Sequence, residues 1–152
     1  ELTEPVGLHT LASELAAAFR RVRVAGDQGI PAVPLNPVLA RRVLEELIDN
    51  ALRFTPPESP IEVWVGIVGS RLKMKVMDRG PGIAPQDQDR IFEPLQQSEA
   101  IDSRTHQGAG VGLSLARAAA RAMGGDVELE TSGPAGSTFV WTIPLDARTM
   151  LA

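Results

Sequence analysis

Met74-Lys75-Val76-Met77-Asp78-Arg79-Gly80-Pro81-Gly82-Ile83 reads as the end of a strand, a carboxylate and a glycine-rich turn. Val76 and the apolar residues before it suit a half-buried strand. Gly80 and Gly82 bracket a proline, so the backbone turns sharply and can pass close to a ligand with no Cβ in the way. Asp78 stands where the strand runs out, so its carboxylate can point into a cavity there. An ionised Asp only accepts hydrogen bonds, which suits a ligand that offers a donor, such as the exocyclic amine of adenine. Taken alone, the pattern fits a solvated Asp-x-Gly turn better, and the rest of the chain has to shift that balance.

Working outward, residues 61–68 and 71–77 are two β-rich runs joined by Gly69-Ser70, a hairpin signal. Upstream, Asn36-Pro37 is a helix start, with Asn as N-cap and Pro at the first helical position. That helix is expected to reach about Phe54, stopped by Thr55-Pro56-Pro57. Leu44, Leu47, Ile48, Ala51 and Leu52 form its apolar stripe, while Glu46, Asn50 and Arg53 lie along one polar ridge. Residues 7–21 carry a further helical pattern, with Leu8, Leu11, Leu15 and Phe19 on one stripe. A short strand follows at 22–24, and the proline-containing stretch 29–37 reads as a connection with room for one more. Downstream, 85–92 reads as a short helix and 94–110 as a long loop, a functional lid or a disordered segment. Residues 111–123 read as a small-residue helix with Leu115, Ala118, Ala119 and Ala122 on one face. Residues 126–131 and 137–143 form a last hairpin. The sum is an α/β (α+β) two-layer sandwich: about three helices covering one face of a mixed, largely antiparallel sheet of about five strands.

The totals bound the function. With 152 residues and 43% hydrophobic composition, one domain spanning 1–152 with its own core is expected. A formal net charge of −4 argues against a nucleic-acid partner. There is no cysteine, which excludes disulfide frameworks and cysteine-based metal or nucleophile sites. Of the Lys and Arg residues only Lys73 and Lys75 are lysines, and neither follows a glycine, so a P-loop is excluded. No apolar run approaches the ~20 residues of a membrane span. Glu1 is not an initiator Met, so the sequence is read as a piece of a longer protein with domains upstream.

Two other places carry chemistry. Gly108-Ala109-Gly110-Val111-Gly112-Leu113 opens a helix, where free amides and the helix dipole favour an anion such as phosphate. A flexible hinge explains these glycines equally well. On the ridge, the Asn50 amide oxygen is a suitable hard ligand for Mg²⁺, Arg53 can neutralise phosphate, and Glu46 can orient or deprotonate a nucleophile. A solvated helix face is the simpler account of three such polar residues.

Together, the ordered segments Glu46-Leu47-Ile48-Asp49-Asn50-Ala51-Leu52-Arg53-Phe54, Asp78-Arg79-Gly80-Pro81-Gly82-Ile83, Arg90-Ile91-Phe92-Glu93-Pro94 and Gly108-Ala109-Gly110-Val111-Gly112-Leu113 resemble the ATP-binding catalytic domain of sensor histidine kinases. Gly136-Ser137-Thr138-Phe139 matches that family's closing strand. The family shares its fold with gyrase, heat-shock chaperone ATPases and mismatch-repair ATPases (the GHKL or Bergerat class), and the resemblance runs from about Leu8 to Leu145.

The resemblance implies Mg-ATP as ligand. Asp78 would accept from the adenine amine with help from Thr138, and Phe54 and Ile83 would line the adenine slot beside Gly80 and Gly82. Asn50 would hold Mg²⁺, Arg53 would approach the phosphates, and Arg90 would meet the γ-phosphate or the acceptor domain. Gly108, Gly110 and Gly112 would let the lid close over the triphosphate, with Val111 and Leu113 also in the nucleotide-binding set. Glu46 would be a further catalytic residue. For Phe54, Thr138 and Arg90 only the resemblance speaks, and core packing or surface charge remain open. It also implies a phosphoacceptor histidine domain upstream, a response regulator as indirect partner, a homodimeric full-length protein and a cytoplasmic location, free or as part of a membrane-anchored sensor.

The chain departs from the family where Leu95-Gln96-Gln97 replaces an aromatic continuation, and where Glu46 stands in place of a common Asn. An acid there activates water in the hydrolysing relatives. Neither His9 nor His106 sits in a phosphoacceptor motif. An ATP-hydrolysing switch, a serine kinase that inhibits a sigma factor, and a nucleotide-free pseudokinase module are therefore the rival expectations.

Overall fold

A computed structural model describes residues 2–94 and 109–145, with the side chains of 109–111 left aside. The elements in order are β1 (Glu4–Val6), α1 (Leu8–Ala16), β2 (Val22–Gly26), β3 (Val33–Leu35), α2 (Pro37–Arg53), β4 (Ile61–Val68), β5 (Arg71–Asp78), α3 (Pro85–Gln88), α4 (Ala109–Ala122), β6 (Asp126–Gly133) and β7 (Gly136–Pro144). The main sheet has the order β2-β4-β5-β7-β6. Its β2–β4 pair is parallel and the other three are antiparallel. The expected mixed, largely antiparallel five-stranded sheet covered by helices on one face is the architecture found.

Strand alternation explains the layering. Leu72, Met74 and Val76 of β5 are buried, as are Val63 and Val65 of β4 and Phe139, Trp141 and Ile143 of β7. They share the face that meets α1, α2 and α4. From α2 the buried set is Ala40, Val43, Leu44, Leu47, Ile48 and Ala51, an i, i+3, i+4, i+7 stripe. Each fully buried Leu in such a stripe stabilises the fold by about 1.5–3 kcal/mol. The helix starts as its sequence demands: Asn36 Oδ1 accepts from the Val38 and Leu39 amides at 3.0 and 3.2 Å, and Pro37 follows.

Several expectations need correction. A helix over 7–21 is too long. After Ala16 the chain closes with i→i−3 bonds, Phe19 N–H to the Ala16 carbonyl at 2.9 Å, which do not propagate an α-helix. Phe19 therefore lies past the helix end and is 40% exposed. The expected 85–92 helix is a single turn at Pro85–Gln88. In α4 the buried residues are Leu113, Ala116, Ala119 and Ala120, while Leu115, Ala118 and Ala122 are exposed. Small residues on every side of that helix leave its inner face ambiguous in the sequence. The helix also begins at Ala109, two residues before the expected start, so Gly110 joins Gly112 in its first turns instead of preceding it. A second, two-stranded sheet pairs β1 with β3, and its β1 strand has no counterpart among the expected elements. Of the expected 94–110 lid, residues 95–108 lie outside the described residues, Gly108 and His106 among them.

Candidate functional site

Helix α2 is the spine of the site. Glu46, Asn50 and Phe54 follow one another at intervals of four, so they stack along one side over roughly 12 Å. At one end, the place a Cβ would take on Gly112 lies 2.7 Å from Glu46 Oε1. With no side chain there, the Glu46 carboxylate lies against the first turns of α4, and a Cβ would push its far end aside. At the other end, a Cβ on Gly80 would stand 2.8 Å from the Phe54 carbonyl oxygen and 3.1 Å from Thr55 Cγ2. The turn after β5 is thus pressed onto the C-terminus of α2. Asn50 sits between these two contacts. Three segments far apart in sequence therefore converge on nine residues of one helix.

Each polar group has a definite environment. Asp78, the last residue of β5, is half-buried. Its Oδ1 accepts from the Gly80 amide at 2.9 Å and the Ser137 amide at 3.2 Å. Its other carboxylate oxygen takes no hydrogen bond among the described residues. Burial pushes the Asp78 carboxyl above its ordinary range, and the two amide bonds only partly offset that. Asn50 is 9% exposed, yet no described residue hydrogen-bonds its amide, whose atoms are not sealed from solvent. A nearly buried, unpaired amide calls for a ligand or water partner. Glu46 is also raised, chiefly by burial, against the pull of Arg42 at 3.4 Å. A free carboxylate oxygen, an unpaired amide and a close-approach glycine form a suitable donor and acceptor set for a nucleotide with its divalent cation.

The turn itself is locked. Gly82 has φ +83°, a conformation only glycine takes freely, and a Cβ there would run into the Gly133 backbone. The Ile83 amide donates to Ser132 Oγ at 2.8 Å, and that hydroxyl is 2.9 Å from Ser137 Oγ. Further on, Phe92 meets Phe139 edge-on at 6.1 Å. The Arg117 guanidinium lies over its ring at 3.7 Å, while Arg117 Nε donates to the Val127 carbonyl at 3.0 Å.

A family model described as "Histidine kinase-, DNA gyrase B-, and HSP90-like ATPase" matches residues 35–147. The chain belongs to this ATPase family. Sensor protein RstB of Escherichia coli (strain K12) is 39% identical over 107 residues, covering 70% of this chain and 24% of the relative. Sensor-like histidine kinase SenX3 of Mycobacterium tuberculosis is 30% identical over 149 residues, covering 94% of this chain and 34% of the relative. The chain spans about a third or less of the length of these curated relatives. Among solved structures, the catalytic domain of the histidine kinase ThkA superposes with a TM-score of 0.80 at 20% identity, over 98% of this chain and 99% of that one, which shows the fold. The histidine kinase domain of the E. coli osmosensor EnvZ gives 0.72 at 28% identity, over 97% and 92%.

Within this ATPase-family chain the expected residues fare differently. Asp78, Gly80, Gly82, Ile83, Asn50, Phe54, Glu46 and Gly112 gather along α2 and the β5 turn. Thr138 does not join them. It stands opposite Met77 in the ladder, whereas Ser137 stands opposite Asp78. Alternation puts the Thr138 side chain on the other face of the sheet, and Ser137, 5% exposed, occupies the place the sequence reading gave it. The pairing of β7 with the distant strand β5 decides which of the two residues faces inward, and no local pattern carries that signal. Arg53 is exposed and donates to Asp49 at 2.8 Å on the same helix. Arg90 is exposed just beyond α3, and Leu113 belongs to the core. Thr55, which sequence reading used only as a helix stop, is buried against Gly80.

Proposed function

We propose that residues 1–152 form one ATP-binding catalytic domain of a sensor histidine kinase, which offers the γ-phosphate of Mg-ATP to a histidine on a separate helical domain. The observation that carries this reading is the alignment of Asp78, Asn50 and Gly112 along α2. Asp78 accepts from the adenine amine through its unused oxygen while Gly80 and Ser137 hold the carboxylate in place. Phe54 and Ile83 flank the base. The Asn50 amide oxygen holds Mg²⁺, which when bound neutralises charge on the triphosphate. The glycines of 108–112 let backbone amides approach the phosphates, and Arg53 and Arg90 add positive charge at the tail or toward the acceptor. Little covalent chemistry falls to the protein, since positioning and charge neutralisation drive phosphoryl transfer. The acceptor domain and an indirect response regulator are partners by the same reading, in a homodimeric full-length protein located in the cytoplasm. No helix among the described residues is long and apolar enough to cross a membrane.

Glu46 favours a second reading. An acid against the first turns of α4, with its proton affinity raised by burial, suits activation of water, as in an ATP-hydrolysing switch. Calorimetry with Mg-ADP and phosphate release from this chain separate the cases. Binding without release supports the kinase, and release lost in Glu46→Gln supports the switch. No binding at all sinks both and leaves a nucleotide-free interaction module.

A further inference from the structure

Arg21, between α1 and β2, lies outside the glycine turns and the α2 ridge, yet it is among the most heavily bonded side chains of the fold. Its Nη1 donates to Thr55 Oγ1 at 2.8 Å, the Pro56 carbonyl at 2.6 Å and the Ser59 carbonyl at 3.2 Å. Its Nη2 donates to the Leu52 carbonyl at 2.8 Å. All four acceptors are neutral, and no carboxylate among the described residues pairs with this guanidinium. The negative end of the α2 dipole, whose last carbonyls have no further turn of helix to bond to, is what the charge meets. The Arg21 carbonyl in turn accepts from the Ile61 amide at 2.9 Å. One residue therefore ties down the end of α2, the whole 55–59 turn and the start of β4.

That turn is the wall of the base site. The Thr55 hydroxyl donates to the Ala51 carbonyl at 2.7 Å, which seats its methyl and the Phe54 carbonyl against Gly80. Gly80 then donates to Asp78. The path runs from Arg21 to Thr55 by a hydrogen bond, from Thr55 to Gly80, where there is no room for a Cβ, and from the Gly80 amide to the carboxylate.

We infer that Arg21 is a positioning residue for the base end of the nucleotide site: it fixes the wall against which the Asp78–Gly80 turn is set. The inference rests on the ATP reading above. A surface ion pair could be lost without consequence, but three bonds to one turn and a fourth to the helix end before it set geometry, and small displacements of a binding group cost affinity steeply.

The test measures dissociation constants of adenosine, Mg-ADP and Mg-ATP for the wild type, Arg21→Ala and Arg21→Lys, each well below its own melting temperature. Arg21→Ala is expected to weaken all three ligands by the same factor, about tenfold, because the defect lies at the base and not at the phosphate tail. Arg21→Lys is expected to recover part of the loss, since an ammonium reaches fewer of the four acceptors. A variant that melts earlier but binds all three as the wild type does would overturn the inference, as would a loss confined to Mg-ATP. Should Arg21→Ala not fold, Arg21→Lys and Thr55→Val carry the same comparison, with a smaller uniform loss expected and unchanged constants overturning it. A wild-type chain that binds none of the three ligands defeats the ATP reading itself, and the inference with it.

Discussion

Asp78→Asn is the substitution with the most to reveal. The side chain keeps its shape, and an amide oxygen can still accept from Gly80 and Ser137 at 2.9 and 3.2 Å. What changes is the other atom: an oxygen free to accept becomes an NH₂ that can only donate. Facing an adenine amine, it loses one hydrogen bond to a charged group, worth roughly 1.5–3 kcal/mol. That is about a ten- to over a hundredfold rise in Kd for Mg-ADP by calorimetry. Stability should move the other way. Burial raises the Asp78 carboxyl above its ordinary range, so the folded protein holds this proton more tightly than the unfolded chain. Stability from that proton is fully present below the unfolded value and is lost as the pH rises through the raised folded value. At neutral pH the charged group is therefore a burden on the ligand-free fold, and Asn removes it. Thermal melts should show the Asp78→Asn protein at least as stable as wild type at pH 7, with the advantage gone in acid. Unchanged Mg-ADP affinity would refute the base-site reasoning; a lower melting temperature at pH 7 would refute the electrostatic part.

Two glycine substitutions should separate structure from site. Gly82→Ala forces an L residue to φ +83° against the Gly133 backbone and should cost about 1–3 kcal/mol in chemical denaturation. Among the described residues Gly112→Ala meets only the movable end of Glu46, and it gains helix propensity, so melts should be near wild type while Mg-ATP binding or phosphate release changes. Arg117→Ala removes the cation from over the Phe92 ring and should cost about 0.5–2 kcal/mol, read from the denaturation midpoint. Asn50→Ala should weaken Mg-ATP far more than adenosine, and chelating Mg²⁺ should erase that difference between the two proteins.

Much of the fold is written in local chemistry. Asn36-Pro37 marks the start of α2 because side-chain capping and a fixed φ act within three residues. The β4–β5 hairpin follows from β-rich runs around Gly69-Ser70. The residue types of the site, Asp78, Asn50 and Glu46, are also legible, because their hydrogen-bonding character does not depend on context. What escapes are features set by distant pairing. β1 and β3 are three residues each, both contain proline, and they become strands only by finding each other across α1 and β2. The inner face of α4 is chosen by α2, not by its own alanines. A match of letters picks Thr138 over Ser137 because it does not specify a register, and the ladder to β5 does. Arg21 carries no local signal at all, since its partners lie 31 to 38 residues away.

The central claim is that the turn after β5, the middle of α2 and the first turns of α4 grip one ligand. Amide NMR during a Mg-ATP titration tests it most directly. Gly80, Ser137, Asn50 and Gly112 should all shift along curves that share a single Kd. Shifts confined to the groove between α1 and α2, around Phe19, Arg41 and Glu45, with those four amides unmoved, would contradict it.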